Sequence, residues 1–210
     1  MHTFPMFETS PIIAVIRKPP KEHVFSLVEA LLKGGVTNLE LTMQEHDSAD
    51  TIHELVHRYG KEAWIGAGTV IDEAQAAAAV QAGASFIFSP NMDRRVIQTA
   101  KKLGAVSIPG VLTPTEALQA VEAGADCVKV FPASAFGPRY IKELKGPLPH
   151  VPIIPTGGID RTNIADFREA GAIACGLGGS LVDRKLIDSG NFSELTSRAE
   201  ELVALAGGHS

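Results

Sequence analysis

The sequence predicts an α/β protein built as one (β/α)8 barrel (TIM barrel) domain over residues 1–210. Short β-branched apolar runs alternate with longer helical patterns eight times, and the predicted strands start 20 to 26 residues apart. Strands that alternate with helices of this length favour βαβ units around a parallel sheet, and eight such units favour a closed barrel. The alternative is an open doubly wound sheet, which more often has roughly five to seven strands.

The strand and helix patterns follow one another without a Pro/Ser-rich linker, so no domain boundary is predicted. The predicted strands are 12–17, 38–43, 64–70, 86–90, 106–112, 127–133, 152–158 and 172–181. Four helices end in a short repeat whose Gly lets the chain leave the helix in a left-handed conformation. The repeats are QAGAS (81–85), KLGAV (102–106), EAGAD (122–126) and EAGAI (169–173). A last helix, 192–207, covers the barrel wall, and the first ten residues form a short preceding segment.

The composition is typical of a cytoplasmic enzyme. The chain has 45% hydrophobic and 20% charged residues, which excludes a disordered or fibrous protein. Its net charge of −5 argues against a nucleic-acid partner, since such proteins usually carry a basic excess. Two cysteines are too few for a disulfide framework, which favours a reducing compartment. The first 20 residues lack the plan of a signal peptide, and no apolar run is long enough for a membrane span.

Polar residues follow the predicted strands at the end where a barrel of this kind builds its active site. Arg17 ends the first strand, and Glu40 and Thr42 lie two apart in the second. The later strand ends contribute Gly-Ala-Gly-Thr (66–69), Ser-Pro-Asn (89–91), Lys129, Pro-Thr-Gly-Gly (155–158) and Gly-Leu-Gly-Gly-Ser (176–180).

Lys129 is the strongest single indication of chemistry. Burial lowers the pKa of a lysine and frees its amine as a nucleophile that can form a Schiff base with a ketone. The alternative is a strand lysine that points outward and reaches solvent between helices. Alternation favours the inner position, because Cys127, Lys129 and Phe131 share one face of the strand. Val128 and Val130 share the other face, which suits packing against helices.

Glu40 is the second candidate, a lone carboxylate within the strand sequence NLELTM. We interpret it as the group that moves protons, through water, during formation of the imine and protonation of the carbanion. The alternative is a purely structural ion pair with Lys129.

Two glycine pairs, Gly157-Gly158 and Gly178-Gly179 with Ser180, end the last two strands. Loops at these positions commonly bind phosphate in such barrels, since glycine lets backbone N–H groups approach an anion closely. The alternative is that these glycines serve only tight turns.

Arg17 offers a fixed positive charge for a carboxylate or a phosphate, with a salt bridge at the barrel mouth as the alternative. The hydroxyl of Thr69 could also meet a carboxylate. The preceding Gly-Ala-Gly is too short for a dinucleotide fingerprint.

One motif points elsewhere: His53-Glu54-Leu55-Val56-His57 matches the H-E-x-x-H signature of zinc peptidases. It falls on a predicted outer helix, away from the strand ends, and the remaining histidines offer no evident third ligand. A solvated helix face is the better interpretation. The remaining histidines are His2, His23, His46, His150 and His209.

Together these strand ends resemble the KDPG/KHG aldolase family, the bacterial 2-keto-3-deoxy-6-phosphogluconate aldolases, from about residue 11 to residue 205. The resemblance implies class I aldol cleavage by a homotrimeric barrel without metal or cofactor. It implies that Lys129, in K-x-F-P-A, is the Schiff-base lysine and that Glu40, in L-E-x-T, is the general acid/base. The matching motifs are AVIR (14–17), GG-V-x-x-LE-L-T (34–42), GAGTV (66–70), SPN (89–91), PG (109–110), VKVFPA (128–133), PTGGI (155–159) and GLGGS (176–180).

The expected substrate is a small phosphorylated keto acid. Many family members have an arginine for its carboxylate where this chain has Gln44, so we expect Arg17, with Thr69, to bind the carboxylate instead. The predicted substrate-binding residues are Arg17, Thr69, Pro90, Thr156, Gly157, Gly158, Gly179 and Ser180.

Two features bear on which keto acid is cleaved. Segment 134–145 (SAFGPRYIKELK) resembles the sister 6-phosphogalactonate aldolases, whereas Thr156 favours the gluconate group, because the sister enzymes tend to lack it. We expect cleavage of 2-keto-3-deoxy-6-phosphogluconate, with 4-hydroxy-2-oxoglutarate as a further candidate substrate. The alternatives are the galactonate epimer, a phosphosugar isomerase or epimerase on the same barrel, and a barrel kept for ligand sensing or assembly.

Overall fold

The computed structural model describes residues 4–207, in which parallel strands alternate with helices. The strands are β1 (Ile12–Ile16), β2 (Asn38–Thr42), β3 (Trp64–Gly68), β4 (Phe86–Phe88), β5 (Val106–Ile108), β6 (Gly110–Val111), β7 (Val128–Val130), β8 (Ile153–Pro155) and β9 (Cys175–Leu177). The α-helices are α1 (Pro5–Thr9), α2 (Val24–Lys33), α3 (Ser48–Tyr59), α4 (Glu73–Gln81), α5 (Arg94–Lys102), α6 (Pro114–Glu122), α7 (Gly137–Lys145), α8 (Ile164–Glu169), α9 (Arg184–Asp188) and α10 (Phe192–Leu205). Short 3-10 helices form at Lys21–His23 and Ala133–Ala135.

The parallel α/β class predicted from the sequence is confirmed, but the strands pair in two groups rather than in one continuous eight-stranded ladder. One sheet has the order β5-β4-β3-β2-β1-β9, and the other has the order β6-β7-β8. Hydrogen bonds near the strand starts join the two sheets: Asp126 N, just before β7, donates to Ser107 O of β5 at 3.0 Å, and Ile173 N, just before β9, donates to Ile153 O of β8 at 3.0 Å. Thr156 also forms an isolated parallel bridge with Gly176.

The predicted strands are longer than the observed ones, for identifiable reasons. The predicted strand 106–112 breaks at Pro109, which has no N–H to donate to a ladder. The strand predicted to reach residue 70 ends before Thr69, whose φ of 57° lies in the left-handed region. Gly157, with a φ of 96°, likewise lies beyond the end of β8.

Side chains alternate between an inner and an outer core. Val128 and Val130 belong to the large outer cluster that packs against the helices, as alternation predicts, whereas Cys127 faces the inner cluster. The inner cluster consists of Met6, Phe7, Ile13, Val15, Phe86, Phe88, Ile108, Cys127, Ile154 and Ala174.

The two ends of the described chain pack on this core. Helix α1, the predicted short preceding segment, buries Met6 and Phe7 in the inner cluster. Helix α10 packs on α2 so closely that a Cβ at Gly34 would lie 2.4 Å from the Cβ of Ala199. Helix α10 ends at Leu205, two residues before the predicted end. Between residues 4 and 207, no helix combines the length and the apolar character that a membrane span requires.

Candidate active site

The side chain of Lys129 lies inside the fold. Residue 129 sits at the centre of β7, paired with Gly110 of β6 and Ile154 of β8, and only 6% of it is exposed. The Nζ atom lies 4.1 Å from the ring centroid of Phe88 and 4.8 Å from that of Phe131. Two aromatic faces therefore surround an amine that is held away from bulk water.

The carboxyl group of Glu40 enters the same interior from β2. Glu40 is 1% exposed, and its backbone pairs with Val15 of β1 and Gly66 of β3. A Cβ at Gly68 would lie 1.6 Å from Glu40 Oε1, so the carboxyl group occupies the space that a side chain at position 68 would need. Glu40 Oε2 has no hydrogen-bond partner among the described residues, which leaves it free for a water molecule or a substrate.

The pKa values of this pair are set mainly by burial. Burial raises the pKa of Glu40 to about 7, although the positive charges of Lys129 and Arg17 oppose the rise. Burial also lowers the pKa of Lys129, Glu40 opposes this shift, and Arg17 adds to it. The amine can therefore be neutral, and the carboxyl group can both give and accept a proton near neutral pH.

The raised pKa of Glu40 predicts a pH-dependent stability effect. Between about pH 4.5 and 7 the folded state binds more protons at Glu40 than the unfolded chain does, so this carboxyl lowers the stability as pH rises. Glu40→Gln removes that loss. We expect the difference in the free energy of unfolding, variant minus parent protein, to be about 3 kcal/mol larger at pH 8 than at pH 4.5, so the variant gains stability relative to the parent as pH rises. Urea unfolding at both pH values measures the difference, and equal differences would contradict the burial effect.

A cavity of about 650 Å³ opens at the ends of β1, β8 and β9. Gly157 and Gly158 adopt φ values of 96° and 71°, which are accessible to glycine without strain. A Cβ built at Gly179 meets no described atom within 4 Å, so packing does not require a glycine there. Because Gly179 has no side chain, its backbone is accessible from the cavity. The predicted site residues that line this cavity are Arg17, Thr156, Gly157, Gly158, Gly179 and Ser180.

Two hydroxyl groups in the cavity differ in their bonding. Ser180 Oγ donates to Ile159 O at 2.6 Å, so its proton is already used within the protein. Thr156 is 6% exposed, and its Oγ1 has no hydrogen-bond partner in residues 4–207. Such a buried hydroxyl is costly unless a ligand or a water molecule binds it. The Thr156 hydroxyl is therefore suited to form a hydrogen bond with a substrate hydroxyl.

The remaining predicted residues lie elsewhere at this end of the fold. Pro90 lines a smaller cavity of about 310 Å³, and Phe131 borders both this cavity and the larger one. Thr69, half-buried after β3, lines neither cavity. Gln44 is exposed in the loop after β2.

The H-E-x-x-H motif lies on α3, where His53 and His57 are both exposed, as the interpretation of a solvated face requires. In the part of the chain that the structure describes, no group of three or more His, Cys, Asp or Glu side chains is placed to hold a metal ion. His2 and His209 lie outside the described residues.

Comparison with known proteins finds aldolases among the relatives of this chain. The family model for KDPG and KHG aldolase matches residues 5–198. The chain is 38% identical, over 81% of its length and 84% of the relative's, to the 2-dehydro-3-deoxy-6-phosphogalactonate aldolase of Escherichia coli K12. It is 33% identical to the KHG/KDPG aldolase of the same strain, over 93% of this chain and 92% of the relative. A solved KDPG aldolase from Legionella pneumophila, with pyruvate captured as a covalent carbinolamine, is 32% identical with a TM-score of 0.86, covering 94% of this chain and 96% of that chain.

A parallel α/β fold that buries a lysine and a carboxyl group in its interior, together with these matches, defines a class I aldolase, a carbon–carbon lyase. The chain belongs to the KDPG and KHG aldolase family, as the strand-end motifs indicate.

The roles of Gly68 and Phe88 at this site were not predicted from the sequence. Gly68 makes room for Glu40, and the Phe88 ring faces the amine of Lys129. The signal for Gly68 was present in the alternation of Gly66 and Gly68, which puts both glycines on the inner face of β3.

Proposed function

We propose that this aldolase cleaves 2-keto-3-deoxy-6-phosphogluconate to pyruvate and D-glyceraldehyde 3-phosphate. The observation that carries the proposal is the buried amine of Lys129, whose pKa is lowered by burial, in the same interior as the protonatable Glu40. Such a pair supplies the nucleophile and the acid/base that imine chemistry needs, without a cofactor.

In this mechanism the neutral amine of Lys129 adds to the C2 ketone and forms a carbinolamine. Glu40, through water, donates a proton to the departing hydroxyl group, and loss of water leaves a protonated imine. Glu40, now a carboxylate, accepts the proton of the C4 hydroxyl by way of water. The C4 oxygen then becomes the carbonyl of the aldehyde as the C3–C4 bond breaks, and the electron pair of that bond flows into the imine to give an enamine. The aldehyde leaves, a proton from Glu40 by way of water converts the enamine to the imine of pyruvate, and hydrolysis frees Lys129.

The cavity beside this pair suits the phosphate end of the substrate. Gly157, Gly158 and Gly179 line it, and none of the three has a side chain that would keep a ligand away from the backbone. Backbone N–H groups are common partners of a phosphate at the ends of late barrel strands. We assign Gly157, Gly158, Gly179 and Ser180 to the phosphate.

A second candidate substrate is the galactonate epimer at C4, which the 38% identity to a phosphogalactonate aldolase favours. We favour the gluconate epimer, because the resemblance implies that the sister galactonate enzymes tend to lack the threonine at position 156. The Thr156 hydroxyl has no hydrogen-bond partner among the described residues and can therefore bond a substrate hydroxyl. 4-Hydroxy-2-oxoglutarate, which lacks a phosphate, remains a further candidate.

Parallel kinetics on the two epimers and on 4-hydroxy-2-oxoglutarate test this assignment. We expect the highest kcat/KM for the gluconate epimer. Thr156→Val should reduce its preference over the galactonate epimer by about 2- to 10-fold, the effect of one lost hydrogen bond. A higher kcat/KM for the galactonate epimer in the parent protein would assign the chain to that substrate instead.

The carboxylate of the substrate requires a positive partner, and we propose that Arg17 provides it, assisted by Thr69, since Gln44 is neutral. Arg17→Ala should weaken pyruvate binding by about 10- to 150-fold through loss of a charge-assisted contact. Gln44→Arg in that background should restore part of the affinity, because a guanidinium group can pair with a carboxylate through two hydrogen bonds.

Two measurements on the Arg17→Ala protein show whether Arg17 binds the carboxylate or the phosphate. They are the affinity for pyruvate and the KM for phosphorylated substrates. Unchanged pyruvate affinity with a raised KM for phosphorylated substrates would place Arg17 at the phosphate and contradict the carboxylate assignment.

We also propose that residues 1–210 form one closed (β/α)8 barrel domain that assembles as a homotrimer in the cytoplasm. The hydrogen bonds from Asp126 N to Ser107 O and from Ile173 N to Ile153 O support closure, since they join the two sheets on both sides. The family resemblance supports the trimer, and light scattering on the purified protein tests it.

A further inference from the structure

The amine of Lys129 faces two aromatic rings and forms no ion pair with a carboxylate among the described residues. Lys129 takes part in none of the ion pairs formed between residues 4 and 207, although Glu40 shares its interior. The Phe88 ring centroid lies 4.1 Å from Nζ, closer than the ring of Phe131 at 4.8 Å. A distance of this size lies well within the range over which a ring face attracts a cation.

Phe88 is fixed in this place by its strand. The residue is 0% exposed, ends β4, and faces the inner cluster, and its backbone pairs with Gly68 and Ile108 on either side. The ring therefore enters the interior between β3, whose Gly68 accommodates the Glu40 carboxyl group, and β5.

We propose that Phe88 is a positioning residue for the aldolase reaction: its ring face fixes the Nζ atom of Lys129 and stabilises the positive charge that this nitrogen carries in the protonated imine. The inference rests on the proposed role of Lys129. The nitrogen of the imine is the same atom as the lysine Nζ, so the ring that faces the ammonium also faces the iminium. Attraction between a ring and a cation is strongest where water is excluded, as it is at a site that is 6% exposed.

The charged groups that act on Lys129 are Glu40 from β2 and Arg17 at the end of β1. Glu40 favours the positive charge and Arg17 opposes it. The Phe88 ring, like Glu40, favours the positive charge on Lys129. Loss of the ring should therefore let the amine lose its proton at a lower pH.

Phe86 provides a matched control on the same strand. It is also 0% exposed and inward-facing, but its ring packs over Gly66, where a Cβ would lie 2.4 Å from the ring atoms. Substitution of either phenylalanine removes the same buried volume, whereas only Phe88 faces Nζ.

The test is the rate of borohydride trapping with pyruvate as a function of pH, in the parent protein and in Phe88→Leu and Phe86→Leu. We expect Phe88→Leu to move the midpoint of the profile down by about 0.5 to 1.5 pH units, corresponding to a 3- to 30-fold change in the equilibrium. Phe86→Leu should leave the midpoint in place even where it lowers the Tm.

Trifluorophenylalanine at position 88 provides a second test that does not depend on the folding of Phe88→Leu. It keeps the shape of the ring and weakens the negative charge on its face, so it should shift the midpoint of the pH profile in the same direction. An unmoved midpoint in both Phe88 proteins, or an equal shift in Phe86→Leu, would overturn the inference while leaving Lys129 as the Schiff-base residue. Absence of trapping at Lys129 in the parent protein would overturn both.

Discussion

Lys129→Met should lose aldol cleavage by roughly 10⁴-fold or more, the scale of loss when an enzyme's covalent nucleophile is removed. Methionine matches the length of the lysine stem but has no amine, so neither the carbinolamine nor the imine can form. The protein should fold as before, because an unbranched apolar side chain suits the rings of Phe88 and Phe131 better than a buried ammonium group does. Pyruvate release from the phosphorylated keto acid, measured with a coupled dehydrogenase, checks the loss.

Lys142→Met is the matched control for this substitution. Lys142 is exposed on α7, away from the interior, so its loss should leave kcat unchanged. Residual cleavage within about 10-fold of the parent rate in Lys129→Met, with an unchanged Tm, would show that another group carries the reaction.

Glu40→Gln should lower kcat by about 10²- to 10⁴-fold, the usual contribution of a positioned general acid/base. Glutamine fills the same space over Gly68 but cannot exchange a proton near neutral pH. Lys129 should still be trapped by borohydride with pyruvate, more slowly, because its amine remains. This combination of slow turnover and retained trapping separates the role of Glu40 from that of Lys129.

Glu45→Gln is the matched control for Glu40→Gln. Glu45 is an exposed residue that pairs with Lys18 at 2.8 Å, so removal of its charge should leave kcat within about 2-fold. A kcat for Glu40→Gln equal to that of Glu45→Gln would leave Glu40 with the purely structural role.

The positions of Lys129 and Glu40 could be predicted because strand alternation has a period of two residues. Once Val128 and Val130 are placed against the helices, Lys129 must face the interior. The same reasoning places Glu40 on the inner face opposite Leu39 and Leu41. Burial of these groups follows from the fold, and their pKa shifts follow from burial.

Other features depend on three-dimensional contacts that no periodicity encodes. The break at Pro109, which divides one predicted strand into β5 and β6, is not one of them, because a proline without an N–H was visible in the sequence. The cavity brings Arg17 from β1 together with the glycine pairs after β8 and β9, and only the strand order makes these ends neighbours. The distance from Phe88 to Lys129 likewise requires the placement of β4 relative to β7.

The role of Lys129 as the Schiff-base residue is tested most directly by incubating the protein with pyruvate and borohydride and mapping the modified peptide by mass spectrometry. Only an imine is reduced to a stable secondary amine under these conditions, so the site of the label identifies the residue that forms the Schiff base. We expect a single reduced pyruvate adduct on Lys129, absent from Lys129→Met. A label on another lysine, or no label at any pH where the enzyme turns over, would contradict the central claim that this protein cleaves its substrate through an imine at Lys129.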